Sequence, residues 1–94
     1  MLQKKDPLNL TGKVAVITGA GAGIGLGTAE LLSAYGASVA IVDVNDEGEV
    51  AAEKIRQAGR NAEFFKCDVT NEDQVKNTVD AIANKFGRID ILFN

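Results

Sequence analysis

Short apolar runs alternate with amphipathic stretches along this chain. Val14-Ala15-Val16-Ile17 is uninterrupted and largely β-branched, which predicts a strand buried on both faces of a parallel sheet. From about Gly23 to Tyr35 the spacing turns helical. Ile24, Thr28, Leu31, Leu32 and Tyr35 share one face, and Gly36 follows as the C′ residue. Val39-Ala40-Ile41-Val42 predicts a second strand. Asn45 or Asp46 can cap the next helix, and Asp46, Glu47 and Glu49 crowd its first turn, where the helix dipole favours anions. Ala51, Ile55 and Ala58 supply the predicted buried face, and Gly59 ends the helix. A third strand is predicted around residues 62 to 68, and Glu63 and Lys66 within it point to a sheet edge. Thr70 and Asp73 resemble a capping box with Asp in place of Glu. Val75, Val79, Ile82 and Phe86 then form the cleanest helical stripe in the chain, closed by Gly87. A fourth strand is expected from Ile89 to Phe93.

The order is β-α-β-α-β-α-β within a single domain, residues 1–94. Right-handed crossovers make such a unit a parallel α/β sheet. A doubly wound topology gives the strand order 3-2-1-4, with ligands bound beyond the carboxyl ends of the strands at the switch point between strands one and four. Two helices then cover one face of the sheet and the third covers the other. The apolar outer edge of the fourth strand invites association.

Composition narrows the function classes. Net charge is −3, and the basic residues are scattered, so no stripe tracks a nucleic-acid backbone. The single cysteine, Cys67, forms no internal disulfide and fits a reducing compartment. Residues 1–7 hold no apolar signal core, and no apolar run is long enough to span a membrane. Asn9-Leu10-Thr11 matches a glycosylation acceptor, read as coincidental without a signal peptide. The expectation is a soluble, cytoplasmic protein that binds neither nucleic acid nor membrane.

The candidate chemistry starts at the end of the first strand, in Thr18-Gly19-Ala20-Gly21-Ala22-Gly23-Ile24-Gly25. A strand turning sharply into a helix, with its backbone close to a pyrophosphate, leaves no room for side chains. The helix N-terminus then offers free N–H groups to the phosphates. The spacing is neither G-x-G-x-x-G, since position 24 is Ile, nor a P-loop, since no Gly-Lys-Ser/Thr follows. It is T-G-x-x-x-G-x-G, built on Gly19, Gly23 and Gly25. Glycine-rich turns also serve packing alone, but here a strand precedes, a helix follows and an acid lies downstream. That acid is Asp43, at the end of the second strand, where a Rossmann unit places its ribose-binding carboxylate. It would accept hydrogen bonds from both adenosine ribose hydroxyls and repel a 2′-phosphate. With no Arg or Lys in the glycine loop or beside Asp43, NAD is expected over NADP. Asp43 could alternatively just begin a turn. Asp43, Asn45, Glu47 and Gly48 also resemble the start of a calcium loop, but position 54 is Lys where that loop needs a bidentate Glu. No metal site is expected.

These residues together resemble the classical short-chain dehydrogenase/reductase family, over nearly the whole chain. Leu10 to Gly19 is similar to the family's opening, and Thr18 to Gly25, including Ile24, to its cofactor motif. Asp43 matches the acid of NAD-preferring members. Cys67-Asp68-Val69-Thr70 resembles the ending of the third strand, where Asp68 and Val69 would hold the adenine ring. Ile89 to Asn94 resembles the fourth strand running into Asn-Asn-Ala-Gly, of which Asn94 is the first residue. The resemblance implies hydride transfer between NAD(P) and an alcohol or carbonyl substrate, in a protein expected to be a homo-oligomer at full length. It also implies a catalytic Tyr, with Lys, Ser and Asn, beyond the fourth strand. No catalytic residue is assigned within these 94 residues. Tyr35 reads as a packing residue, position 39 being Val where a Lys would stand. Ser33 and Ser38 have no basic partner, and the chain has no histidine. The expected identity is the cofactor-binding portion of a longer enzyme, not catalytic by itself. The rival reading is a non-catalytic dinucleotide-binding or regulatory module.

Overall fold

The computed structural model describes residues 8–94; the segment read above as lacking a signal, 1–7, lies outside them. The elements are β1 (Val14–Thr18), α1 (Gly23–Ala34), β2 (Ser38–Asp43), α2 (Glu47–Gln57), β3 (Ala62–Lys66), α3 (Glu72–Phe86) and β4 (Ile91–Phe93). All strand pairs are parallel, in the order β3-β2-β1-β4. This is the doubly wound arrangement expected from the alternation of strands and helices. Among the described residues, no helix is long and apolar enough to cross a membrane.

Two cores follow from the two faces of the central strands. Ala15, Ile17, Val39 and Ile41 pack with Ala29 of α1 and with Ala51, Ala52 and Ile55 of α2. Val14, Val16, Ala40 and Val42 pack with Cys67 and with Ile82 of α3. Burial on both faces explains why β1 and β2 read as continuous apolar runs. β3 has a polar Glu63 and Lys66 because it lies at the sheet edge. β4 forms the opposite edge, where Leu92 stays 69% exposed.

Several local expectations are corrected. The buried face of α1 is Gly25, Ala29 and Ser33, whereas Ile24 and Leu31 are 81% and 56% exposed. Small residues let the helix backbone approach the sheet closely, and a reading that weighs only large apolar side chains misses that face. Tyr35 is not within the helix but caps its C-terminus, half-buried. Neither Asn45 nor Asp46 caps α2 through its side chain. The Asp46 carboxylate instead takes the Lys66 ammonium. Gly48 and Ala52 join Ala51 and Ile55 in the buried face of α2, while Ala58 is exposed. Asn71, not Thr70, is the N-cap of α3: its Oδ1 accepts the Gln74 amide at 3.0 Å. Of the α3 stripe only Ile82 is fully buried; Val75 and Phe86 are partly covered, and Val79 is 44% exposed. The strands are also shorter than expected, β3 ending at Lys66 and β4 beginning at Ile91.

Candidate functional site

The carboxyl ends of the strands bring the candidate residues to one end of the sheet. β1 stops at Thr18, and the Gly19 amide donates to the Val42 carbonyl oxygen at 2.8 Å. Gly19 and Gly23 then adopt φ of +65° and +62°, a left-handed backbone that side chains disfavour. Gly25 is required for a different reason. A Cβ there would collide with the Gly19 carbonyl oxygen and stand 2.9 Å from its carbon. Each glycine of the T-G-x-x-x-G-x-G spacing therefore meets a specific backbone demand. Gly21, left out of that spacing, meets another: its Cβ would lie 2.8 Å from Asp43 Oδ2. The first turn of α1 has no side-chain cap and no acidic residue, so its N–H groups are available to an anion.

Asp43 faces this loop. Its Oδ2 accepts the Gly21 amide at 2.9 Å, and its Oδ1 accepts the Asn45 amide at 3.0 Å. Each oxygen keeps a further lone pair for a hydroxyl donor. The carboxylate therefore does begin a turn, as well as lying where a ribose acid is expected.

Asp68 follows β3. Its Oδ1 accepts the Thr70 hydroxyl at 2.6 Å and the Thr70 amide at 2.9 Å. These bonds, the hydroxyl first, hold its carboxyl below the usual carboxylate range. Its own amide donates to Gln74 Oε1 at 2.9 Å, tying the segment to the start of α3. Val69 is 54% exposed beside it. Gly19, Asp43, Val44, Asp68, Val69 and Thr70 line an open cleft of about 280 Å³. Val44 and Thr70 were not anticipated as lining; their adjacency to Asp43 and Val69 was the available signal.

Asn94 follows β4 at the same end of the sheet. Its Oδ1 accepts the Thr18 hydroxyl at 2.9 Å across the β1–β4 pair. Both residues border a second, mostly apolar hollow that also touches Val79 and Leu92. Gly23, Ile24 and Gly25 line neither hollow; they belong to the turn and the start of α1. Tyr35 stands at the other end of α1 from the glycine turn. Among the described residues, no group of three or more His, Cys, Asp or Glu gathers as a metal site.

One electrostatic expectation is corrected. A basic residue does stand beside Asp43, because Lys66 is its register partner on β3. Reading along the sequence missed it, since the neighbour comes from strand pairing and lies 23 positions away.

Comparison with known proteins fits this geometry. The short chain dehydrogenase family matches residues 13–94. Secoisolariciresinol dehydrogenase of Forsythia intermedia is 51% identical over 86 residues, covering 90% of this chain and 30% of that protein. The NAD+-bound xylitol dehydrogenase structure superimposes with a TM-score of 0.84 at 44% identity, over 88% of this chain and 32% of that one. A metagenomic short-chain oxidoreductase in complex with NADP gives 0.83 at 34% identity, over 88% of this chain and 38% of that one. The chain thus spans about 30% of the length of the curated relatives it matches. Its parallel 3-2-1-4 sheet, its glycine turn and a match over nearly all of its length agree, and the chain belongs to the short-chain dehydrogenase family.

Proposed function

We propose that residues 1–94 are the NAD-binding segment of an oxidoreductase that moves hydride between NAD(H) and an alcohol or carbonyl compound. The observation that carries this reading is the Asp43 carboxylate hydrogen-bonded to the Gly21 amide. That bond sets a diol acceptor directly against a glycine turn whose helix presents uncapped N–H groups. A dinucleotide needs those two features side by side.

In this reading Gly19, Gly23 and Gly25 shape the turn, so that the start of α1 can receive the pyrophosphate. Ile24 covers the nucleotide from the first helical turn. Asp43 accepts the adenosine ribose hydroxyls and disfavours a 2′-phosphate through like charge. Asp68 and Val69 hold the adenine in the cleft, Val69 by apolar contact and Asp68 through the turn it makes with Thr70. Asn94, tied to Thr18, borders the path toward the reacting end. The nicotinamide ring, when bound, supplies the hydride acceptor or donor. The proton-transfer residues implied by the family resemblance belong after β4, so residues 1–94 alone are expected to show no turnover. The whole protein is expected to be a cytoplasmic homo-oligomer.

Titrating the full protein with NADH and NADPH, followed by nucleotide fluorescence, tests the reading. Saturable binding with tighter affinity for NADH is expected. Binding of neither nucleotide would refute it, and equal affinity would remove the selectivity assigned to Asp43.

A further inference from the structure

Strand pairing puts a cation on the rim of the ribose subsite. Lys66 pairs in register with Asp43, and the Cys67 amide donates to the Asp43 carbonyl oxygen at 3.0 Å. Register partners in a sheet lie about 4.8 Å apart and direct their side chains to the same face. The Lys66 ammonium is 3.0 Å from Asp46 Oδ1, at the entry to α2. The same helix start borders the glycine turn, since a Cβ on Gly21 would stand 3.4 Å from Glu47 Cβ. Asp43, Asp46, Glu47 and Lys66 therefore share one rim, and together they carry two net negative charges. The pair is open to water, with side chains 61% (Lys66) and 84% (Asp46) exposed. Such a pair adds little to stability, so either charge can be removed without unfolding the protein.

We propose that the Asp46–Lys66 pair is a second determinant of cofactor selectivity, with Asp46 occupying an ammonium that would otherwise meet a 2′-phosphate. The inference rests on the nucleotide site proposed above. Neutralising Asp46 takes the rim from two net negative charges to one. It also frees a point charge with three donors, well suited to phosphate. The Asp46 side chain makes no cap hydrogen bond to α2, so Asp46→Asn leaves the start of that helix intact.

The experiment compares the full protein with Asp46→Asn, Lys66→Met and the double variant, each titrated with NADH and NADPH at low salt. Asp46→Asn is expected to raise NADPH affinity relative to NADH about fivefold, the size of a unit charge acting on a phosphate dianion through water. NADH affinity should change less than about twofold. In the Lys66→Met background the same substitution should move the ratio less than half as far, because the ammonium it frees is gone. An unchanged ratio, or equal shifts in both backgrounds, would overturn the inference. Wild-type binding of neither nucleotide would instead sink the proposed function, and this inference with it. Unchanged urea midpoints in the single variants separate these results from unfolding.

Discussion

Gly25 and Gly27 lie one half-turn apart in α1 and should answer to alanine with opposite signs. Both are helical, so replacement gains about 1 kcal/mol of helix propensity at either position. At Gly27 nothing lies within 4 Å of an added Cβ, and that gain stands alone. At Gly25 the Cβ would strike the Gly19 carbonyl oxygen, 2.9 Å from Gly19 C and 3.0 Å from Ala20 Cα. These are backbone atoms of the turn, which cannot rotate away like the end of a side chain. Overpacking of this kind costs about 1–3 kcal/mol. Contact with backbone places Gly25 at the upper end, for a net loss of about 2 kcal/mol after the propensity gain.

The same displacement moves the first turn of α1 from its place against Gly19, so nucleotide binding should weaken beyond the stability loss. Urea unfolding by circular dichroism reads the first effect and NADH titration the second. Gly27→Ala is expected to raise the midpoint and keep affinity, whereas Gly25→Ala should lower both. Similar midpoints for the two variants would show that the turn relaxes freely, and would remove the steric reason given for glycine at position 25.

Asp43→Ala should narrow the NADH-over-NADPH gap and weaken binding of both nucleotides, because it also releases the Gly21 amide; an unchanged preference would refute its assigned role. Asn71→Ala should cost about 1 kcal/mol in urea unfolding through loss of the α3 cap, whereas Asp73→Ala should cost clearly less if Asn71 alone is the cap. Arg88, then the Val14 amide, holds the Asp90 carboxyl below the usual carboxylate range. A lowered folded pKa contributes stability that is full above the unfolded value, about 4, and is lost as pH falls through the folded one. Acid unfolding should therefore steepen below about pH 4, and Asp90→Asn should flatten that limb; identical acid limbs would exclude the contribution.

The parts of the fold legible in the sequence were those set by burial on two faces. β1 and β2 read as apolar runs because α1 and α2 cover one side and α3 the other. Glu63 and Lys66 marked the edge strand for the complementary reason, one side of β3 having no neighbouring strand among the described residues. The glycine turn was legible because its steric demands leave no other residue type. What stayed hidden involved close approach or partners distant in sequence. The small-residue face of α1 carries no hydrophobic periodicity, so Ile24 and Leu31 misled. Asn71 competed with an imperfect capping box one residue earlier, and the Asp68–Thr70 turn decided between them by engaging the Thr70 hydroxyl. Lys66 beside Asp43 is a consequence of register, which no linear neighbourhood contains.

The two ends of the sheet use their polar side chains differently. At the amino ends of the strands, polar side chains are used as fasteners. Asp90 accepts the Val14 amide and returns its own amide to the Val14 carbonyl. Arg56 reaches from α2 to the Ala62 carbonyl, and Asn61 donates to the Ser38 hydroxyl. These contacts join neighbouring strands, or helix to strand, where β1, β2, β3 and β4 begin. At the carboxyl ends, Thr18 and Asn94 join β1 to β4, while Asp43 bonds to the Gly21 and Asn45 amides and Asp68 to Thr70, both keeping unused acceptor capacity. The helix that follows β1 begins without a side-chain cap, as α2 does, whereas α3 has one. Fastening the ligand end equally well would require a side chain at the start of α1, where it would compete for the N–H groups an anion needs. In the proposed function, the uncapped start of α1 is local stability given up for binding. A capping residue at position 22, such as Ala22→Ser, should then stabilise the fold by about 0.5–1 kcal/mol while weakening nucleotide affinity. A variant that gained both stability and affinity would show that the uncapped helix start has no part in binding.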